Sequence, residues 1–328
     1  MRRSPISFAG TFALASALFG PVSLGADARK VEAGARLLEA QRYREALDTL
    51  QGAVQADPAN ARAAALYGRA FLEENDVGRA VEWLEKASLL DSSSSSTAYW
   101  LGRAYGEQAI HGNVVVRAKL AGKIKRAFER AVELDPDNMD ARIGLVEFYL
   151  QAPSFMGGSF EKARQQTDEL RRRDPLHGYL AKARLEEHRK RRDLAEAQYE
   201  AAMRDFPGRP EPYYWRERGA IGRKDWPSAL EAMDRLLRQR PEDAEPLYEI
   251  GRIAALSGRD LDRGEASLRH YLEHAPRGDE PSLAEAHMRM AEIEERRGTR
   301  AAARSEYAAA LELDPGIAGA RQALAKLR

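Results

Sequence analysis

Small and large apolar residues recur along this chain in a fixed order. An alanine is followed by a large apolar or aromatic residue, then by a second small or apolar residue, then by a proline: Ala46, Leu50, Ala53, Pro58; Ala195, Tyr199, Ala202, Pro207; Ala229, Met233, Leu236, Pro241; Ala303, Tyr307, Ala310, Pro315. Steps of four and three place the apolar members on one helical face. Proline cannot continue a helix and biases the residue before it away from helical angles, so each copy predicts a helix and its end. A second pattern lies upstream, a large residue followed by glycine: Tyr67-Gly68, Leu101-Gly102 and Ile250-Gly251. The two patterns together predict pairs of antiparallel helices. Small residues (Gly34, Gly68, Gly102 and Gly251 on the first helix, Ala46, Ala80, Ala163, Ala195, Ala229 and Ala303 on the second) let the backbones approach. Large neighbours such as Phe71, Leu84, Tyr105, Phe128, Tyr149, Tyr199 and Tyr307 fill the seam. Asp57-Pro58, Asp135-Pro136, Asp174-Pro175 and Asp314-Pro315 close second helices, and Asn75-Asp76 and Lys224-Asp225 join the two helices of a pair.

In phase over nearly the whole chain, this pattern resembles the tetratricopeptide repeat (TPR), a helix–turn–helix unit. On that resemblance the units run at about 27–60, 61–94, 95–138, 139–175, 176–209, 210–243, 244–276 and 284–317, with a capping helix over 318–328. The fold expected is all-α, a right-handed superhelical solenoid of about eight such units without β-sheet. Three stretches depart from the period. Ser92 stands where proline is usual and opens the run Ser92–Ser96, which reads as a loosened turn that supplies an N-cap. The third unit is about ten residues too long, with the excess in Gly106–Lys123. Its basic, amphipathic part, Arg117–Lys125, reads either as a longer second helix with its cations in water or as a basic contact site on a protruding elbow. The fourth unit carries Ala152–Ser159, either a turn packed by its own Phe155 and Met156 or a ligand loop, with Ser159 placed to cap the next helix.

Charge narrows the function. Lys and Arg number 52 against 51 Asp and Glu, so the balance gives no reason to expect nucleic acid or a general pull to anionic lipid. No cysteine is present, which excludes disulfides and a lipid-anchoring cysteine. At the start of the chain Arg2 and Arg3 precede an apolar stretch, Ile6–Phe19; Gly20-Pro21 follows, and then Ala26-Asp27-Ala28 in the form of a cleavage site. Residues 1–28 are therefore expected to be an export signal, cleaved to leave a solenoid over 29–328 in the periplasm or outside the cell. An uncleaved anchor would need about 20 apolar residues, more than the stretch supplies.

Candidate chemistry is sparse. His270-Tyr271-Leu272-Glu273-His274 matches the inverted zinc-protease signature, whose histidines stand one helical turn apart. It lies on the second helix of a unit with Leu268 and Tyr271 at core positions, and reads as two surface histidines. No phosphate-binding or nucleophile-elbow glycine pattern occurs, no cofactor is expected, and no catalytic role is expected. Arg171–Arg173 and Arg189–Arg192 fall at helix ends, where cations meet the negative end of the helix dipole.

Binding is what the resemblance implies. In TPR solenoids, positions five and nine of each first helix point to the concave face. Position nine is Arg69, Arg103, Arg184, Arg218 and Arg252 here, and position five is Tyr99, Tyr214 and Tyr248. Four residues apart, each Tyr–Arg pair shares a helix face. The expectation is a ladder that grips an acidic or carboxylate-bearing segment of a protein partner. The alternative is that each arginine pairs with a glutamate of the neighbouring unit while the tyrosines pack between helices. The Lys/Asn/Arg clamp that some family members use is not carried over, because the asparagines are missing. A second function class is a glycan- or cell-wall-binding solenoid, which would need Trp100, Trp215 and Trp226 exposed. A metal-dependent hydrolase built on His270, Glu273 and His274 is the distant third.

Overall fold

The computed structural model describes residues 26–274, 280–317 and 319–327. Over these residues the chain forms helices α1 to α17 and one short 3-10 helix, with no strand. The helices come in pairs: α1 (Ala26–Glu39) with α2 (Tyr43–Ala56), α3 (Ala61–Glu73) with α4 (Val77–Leu90), α5 (Ser95–Ile110) with α6 (Val114–Leu134) and α7 (Met139–Gln151) with α8 (Phe160–Arg173). Then follow α9 (Pro175–His188) with α10 (Arg192–Asp205), α11 (Glu211–Gly222) with α12 (Trp226–Gln239), α13 (Glu245–Ser257) with α14 (Leu261–Leu272) and α15 (Leu283–Arg297) with α16 (Arg300–Leu313). The single helix α17 (Ala320–Lys326) ends the array. Of the expected export signal, residues 1–25 lie outside the described residues, and Ala26-Asp27-Ala28 form the first turn of α1.

The glycine positions explain how each pair closes. A Cβ on Gly34 would come within 2.4 Å of Leu50, on Gly68 within 2.7 Å of Leu84, on Gly102 within 2.7 Å of Phe128 and on Gly251 within 2.3 Å of Leu268. Those large partners are buried. A first-helix glycine is thus the slot, and a large second-helix side chain the key. In the third unit that key is Phe128, set far along a lengthened α6, and it also fills the space beside Gly144 of the next unit.

The turns between units rest on aspartate more than on proline. Asp57, Asp91, Asp135 and Asp314 each end a second helix, and each carboxylate accepts from the backbone N–H two residues on, at 3.1, 2.8, 2.9 and 2.8 Å. Such turns are a known aspartate habit. Asp91 makes this turn with Ser92 in place of proline, and Ser94 then caps α5 by accepting from the Thr97 N–H at 3.1 Å. Turns inside the units use the left-handed region instead, at Gln41, Asn75, Lys190 and Lys224 as well as at Gly258 and Gly298.

First helices of successive units touch one another (α1 with α3, α3 with α5, α5 with α7, α7 with α9, α13 with α15), whereas second helices make no comparable contact among the described residues. Close inner helices and splayed outer ones are what curvature produces, so the first helices form the inner face. The curve brings the ends together: the Arg44 guanidinium of α2 lies 4.0 Å from the Asp314 carboxylate beyond α16.

The two long departures from the period also resolve. The excess in the third unit lengthens α6, which buries Leu120, Ala121, Ile124 and Phe128 and turns Arg117, Lys119 and Lys123 to solvent. The fourth-unit insertion makes a 3-10 turn, Ser154–Met156, with Gly157 in the left-handed region; Ser159 caps α8. Its packing differs from the expected self-packed turn. Met156 leans on the main core, while Phe155 is 83% exposed.

Candidate functional site

The five position-nine arginines of the inner face have different fates. Arg184 of α9 donates to both carboxylate oxygens of Glu147 on α7, at 2.8 and 3.1 Å, and to Glu187 at 2.8 Å. Burial pushes the Glu147 carboxyl up, but the bonds from Arg184 outweigh it and hold the group below the ordinary carboxylate value. The chain of charges continues through Arg223, which reaches Glu187 at 2.7 Å and Glu196 at 2.8 Å, and through Arg216, which bonds Glu196 at 2.9 Å and also Glu231. A continuous arginine–glutamate network therefore ties the fourth, fifth and sixth units together.

Arg252 of α13 is committed in the same way. Its Nη2 donates to Glu217 of α11 at 2.6 Å, and its Nε donates to Glu249. Glu217 is 1% exposed. Burial and the neighbouring Glu249 carboxylate push Glu217 up to about 7, against the pull of Arg252 and, more weakly, of Arg218. Two carboxylates here share one guanidinium, and like charges that close resist joint ionisation.

Arg103 is held weakly. One nitrogen lies 3.4 Å from Glu73, and its guanidinium sits 4.8 Å from the Trp100 ring centre. Arg69 sits 4.6 Å from the same ring. Among the described residues it has no carboxylate partner, and its Nε is buried without a hydrogen-bond acceptor. Arg218 is exposed and, among the described residues, its side chain bonds only the Tyr214 carbonyl oxygen, at 3.4 Å. Three of the five arginines thus make the inter-unit pairs that the alternative anticipated, and two do not.

The tyrosines pack. Tyr99 lies edge-on to Trp100 with ring centres 5.1 Å apart and near Phe128; Tyr248 is 4% exposed and rests on Tyr271. Tyr214 is half-buried. Burial pushes all three hydroxyls up from their ordinary value. They support the helices that carry the arginines and offer a partner little area.

His270, Glu273 and His274 are exposed at the end of α14, where the His274 ring donates to the His270 carbonyl oxygen at 2.8 Å. No group of three metal-ligating side chains converges among the described residues. Trp100, Trp215 and Trp226 are half-buried, Trp100 between its arginines and Tyr99, Trp215 against His177. No described helix is long and apolar enough to cross a membrane. Sequence reasoning missed the network through Arg216 and Arg223. The only available signal was the pairing of Arg184 with Glu187 three residues on, since the other partners lie in different helices.

Comparison with known proteins agrees with this architecture. Two tetratricopeptide-repeat family models match residues 37–104 and 218–276. The chain contains TPR repeats and folds as a TPR-type α-solenoid. A thermophilic TPR protein of Thermus thermophilus superposes with a TM-score of 0.50 at 20% identity, over 60% of this chain and 98% of that one. A tetratricopeptide repeat protein of Parabacteroides merdae gives 0.48 at 13% identity, over 92% and 98%. In sequence, the cellulose synthase operon protein C of Escherichia coli (strain K12) is 32% identical over 111 residues, 31% of this chain. The chain spans only 9% of the length of that relative.

Proposed function

We propose that this chain is a non-catalytic scaffold whose inner face holds an extended, carboxylate-bearing segment of a protein partner. The observation that carries the reading is the pair Arg69 and Arg218, which make no ion pair among the described residues, on a face where the other arginines are paired with glutamates. An arginine fork binds a carboxylate through two parallel N–H bonds, and partly buried sites strengthen such bonds. Arg103, loosely held beside Arg69 on Trp100, is the natural third contact. The partial likeness to a cellulose synthase operon protein is compatible with this reading. The test is crosslinking and affinity capture from the native envelope with wild type and the double variant Arg69→Ala/Arg218→Ala. The partner identified with wild type is expected to be lost with the variant while the melting temperature stays unchanged.

Residues 1–28 complete the proposal as an export signal, which places the solenoid in the periplasm or outside the cell. Mature protein beginning near residue 29 is the expected result of N-terminal sequencing; a cytosolic product beginning at Met1 would contradict it. The glycan-binding reading finds no specific support, because its tryptophans are half-buried against side chains of the same chain. A hydrolase at His270, Glu273 and His274 is tested by zinc content of the purified protein.

A further inference from the structure

The two insertions that break the repeat meet at one place. Between α5, the lengthened α6 and α7 lies a groove of about 810 Å³, closed at one end by the Ser154–Met156 turn. Its floor is Ile124, Phe128 and Phe148; its rim carries Ile110, Val114 and Phe155, which are 64%, 71% and 83% exposed. The volume falls in the range of ligand sites, and a cluster of exposed large apolar side chains marks a contact surface. Gly106 faces open space: a Cβ placed there would meet no atom within 4 Å, unlike the slot glycines, which are packed shut.

The charges around the groove select the occupant. Glu147 is matched by Arg184, and Arg103 leans on Glu73 and Trp100. Arg117 donates to the carbonyl oxygens of Ala109, Ile110 and Gly112, where it neutralises the negative end of α5. Glu107 alone among the lining charges has no partner for its carboxylate among the described residues. The wall is therefore apolar, with Arg117 and Glu147 committed, Arg103 loosely held towards Glu73 and Trp100, and the Glu107 carboxylate left for a cation of the occupant.

We infer that this groove is a second docking site, which takes large apolar side chains of a partner segment with a neighbouring lysine or arginine on Glu107. The inference rests on the scaffold reading above. A polypeptide segment fits because Arg103 belongs both to the inner-face ladder and to the groove wall, so a chain laid along the first helices reaches the groove. The chemistry is opposite to that of Arg69 and Arg218, so the two sites would grip different parts of a partner.

The test is fluorescence anisotropy with three synthetic peptides, acetylated and amidated to remove terminal charge. One has a Leu-x-x-Phe-Lys core, one Leu-x-x-Phe-Glu, and one Ala-x-x-Ala-Lys. Wild type is expected to bind the first roughly tenfold tighter than the glutamate peptide, the weight of one lost charged contact, and at least about tenfold tighter than the alanine peptide, which lacks both apolar side chains. Gly106→Trp fills the groove and should weaken the first peptide by at least that factor. Glu107→Lys, which leaves the groove open, should transfer the preference to the glutamate peptide and keeps the test valid if Gly106→Trp folds poorly by circular dichroism. Equal binding of the lysine and glutamate peptides, or binding indifferent to both variants, overturns the inference. So does sedimentation showing that wild type self-associates and Gly106→Trp does not, since the occupant would then be a second copy. Arg69→Ala/Arg218→Ala should leave binding of the first peptide unchanged. The same variant read with a glutamate-rich peptide reports on the inner-face reading separately, so either proposal can fail alone.

Discussion

Arg184 and Glu147 lock two units together: a guanidinium on α9 donates to both oxygens of a carboxylate on α7, at 2.8 and 3.1 Å. Truncation of Arg184 leaves the Glu147 carboxylate without its guanidinium in a partly buried junction, whereas truncation of Glu147 leaves Arg184 with Glu187 alone. Arg184→Ala should destabilise the fold by about 1–2 kcal/mol, a range lowered to allow for the solvent that reaches the arginine. The double variant Arg184→Ala/Glu147→Ala should cost less than the sum of the single ones. Urea unfolding of the four proteins reads the coupling, and strict additivity would show that the pair contributes nothing as a pair.

The slot glycines and the groove glycine should respond oppositely to one added methyl group. Gly251→Ala drives a Cβ into Leu268, and overpacking of this kind costs about 1–3 kcal/mol. Gly106→Ala meets open space within α5, so the gain in helix propensity should stabilise by up to ~1 kcal/mol. Thermal melts of the two variants decide it. Equal losses would mean that the difference in packing between the two sites is not real.

Glu217 gives the fold a pH dependence at an unusual place. Burial first, and Glu249 second, raise its native pKa to about 7 from an ordinary 4.5, so between those values the native state holds more proton than the unfolded chain. Its contribution to stability is complete below about pH 4.5 and is lost as pH rises through about 7. Wild type should therefore lose melting temperature from pH 5 to pH 8, and Glu217→Gln should flatten that slope while Arg252 keeps Glu249. Parallel slopes for the two proteins would remove Glu217 from the account.

How legible all this was in the sequence depended on the range of the interaction. The seam is local: Gly68 and Leu84 belong to one unit, and period alone pairs them. The end of the second helix is local too, although proline received credit that belongs to aspartate, as Asp91 shows beside Ser92. The inner-face arginines were found by position, but their fates were not legible. Whether Arg184 is matched and Arg69 is not depends on which glutamate the neighbouring unit presents, and that is set by the superhelix. The groove was hidden for the same reason. Its two walls come from insertions in different units, and nothing local says that Val114 and Phe155 line one space.

The central claim is that arginines left unmatched on the inner face bind, while matched ones hold the solenoid together. Isothermal titration of a glutamate-rich peptide, run beside thermal melts, tests it in two double variants. Arg69→Ala/Arg218→Ala should weaken binding by about 1–3 kcal/mol per arginine with no change in melting temperature. Arg184→Ala/Arg252→Ala should lower the melting temperature clearly and leave binding to the folded protein nearly intact. The reverse pattern, binding lost with Arg184 and Arg252 and stability lost with Arg69 and Arg218, would contradict the account.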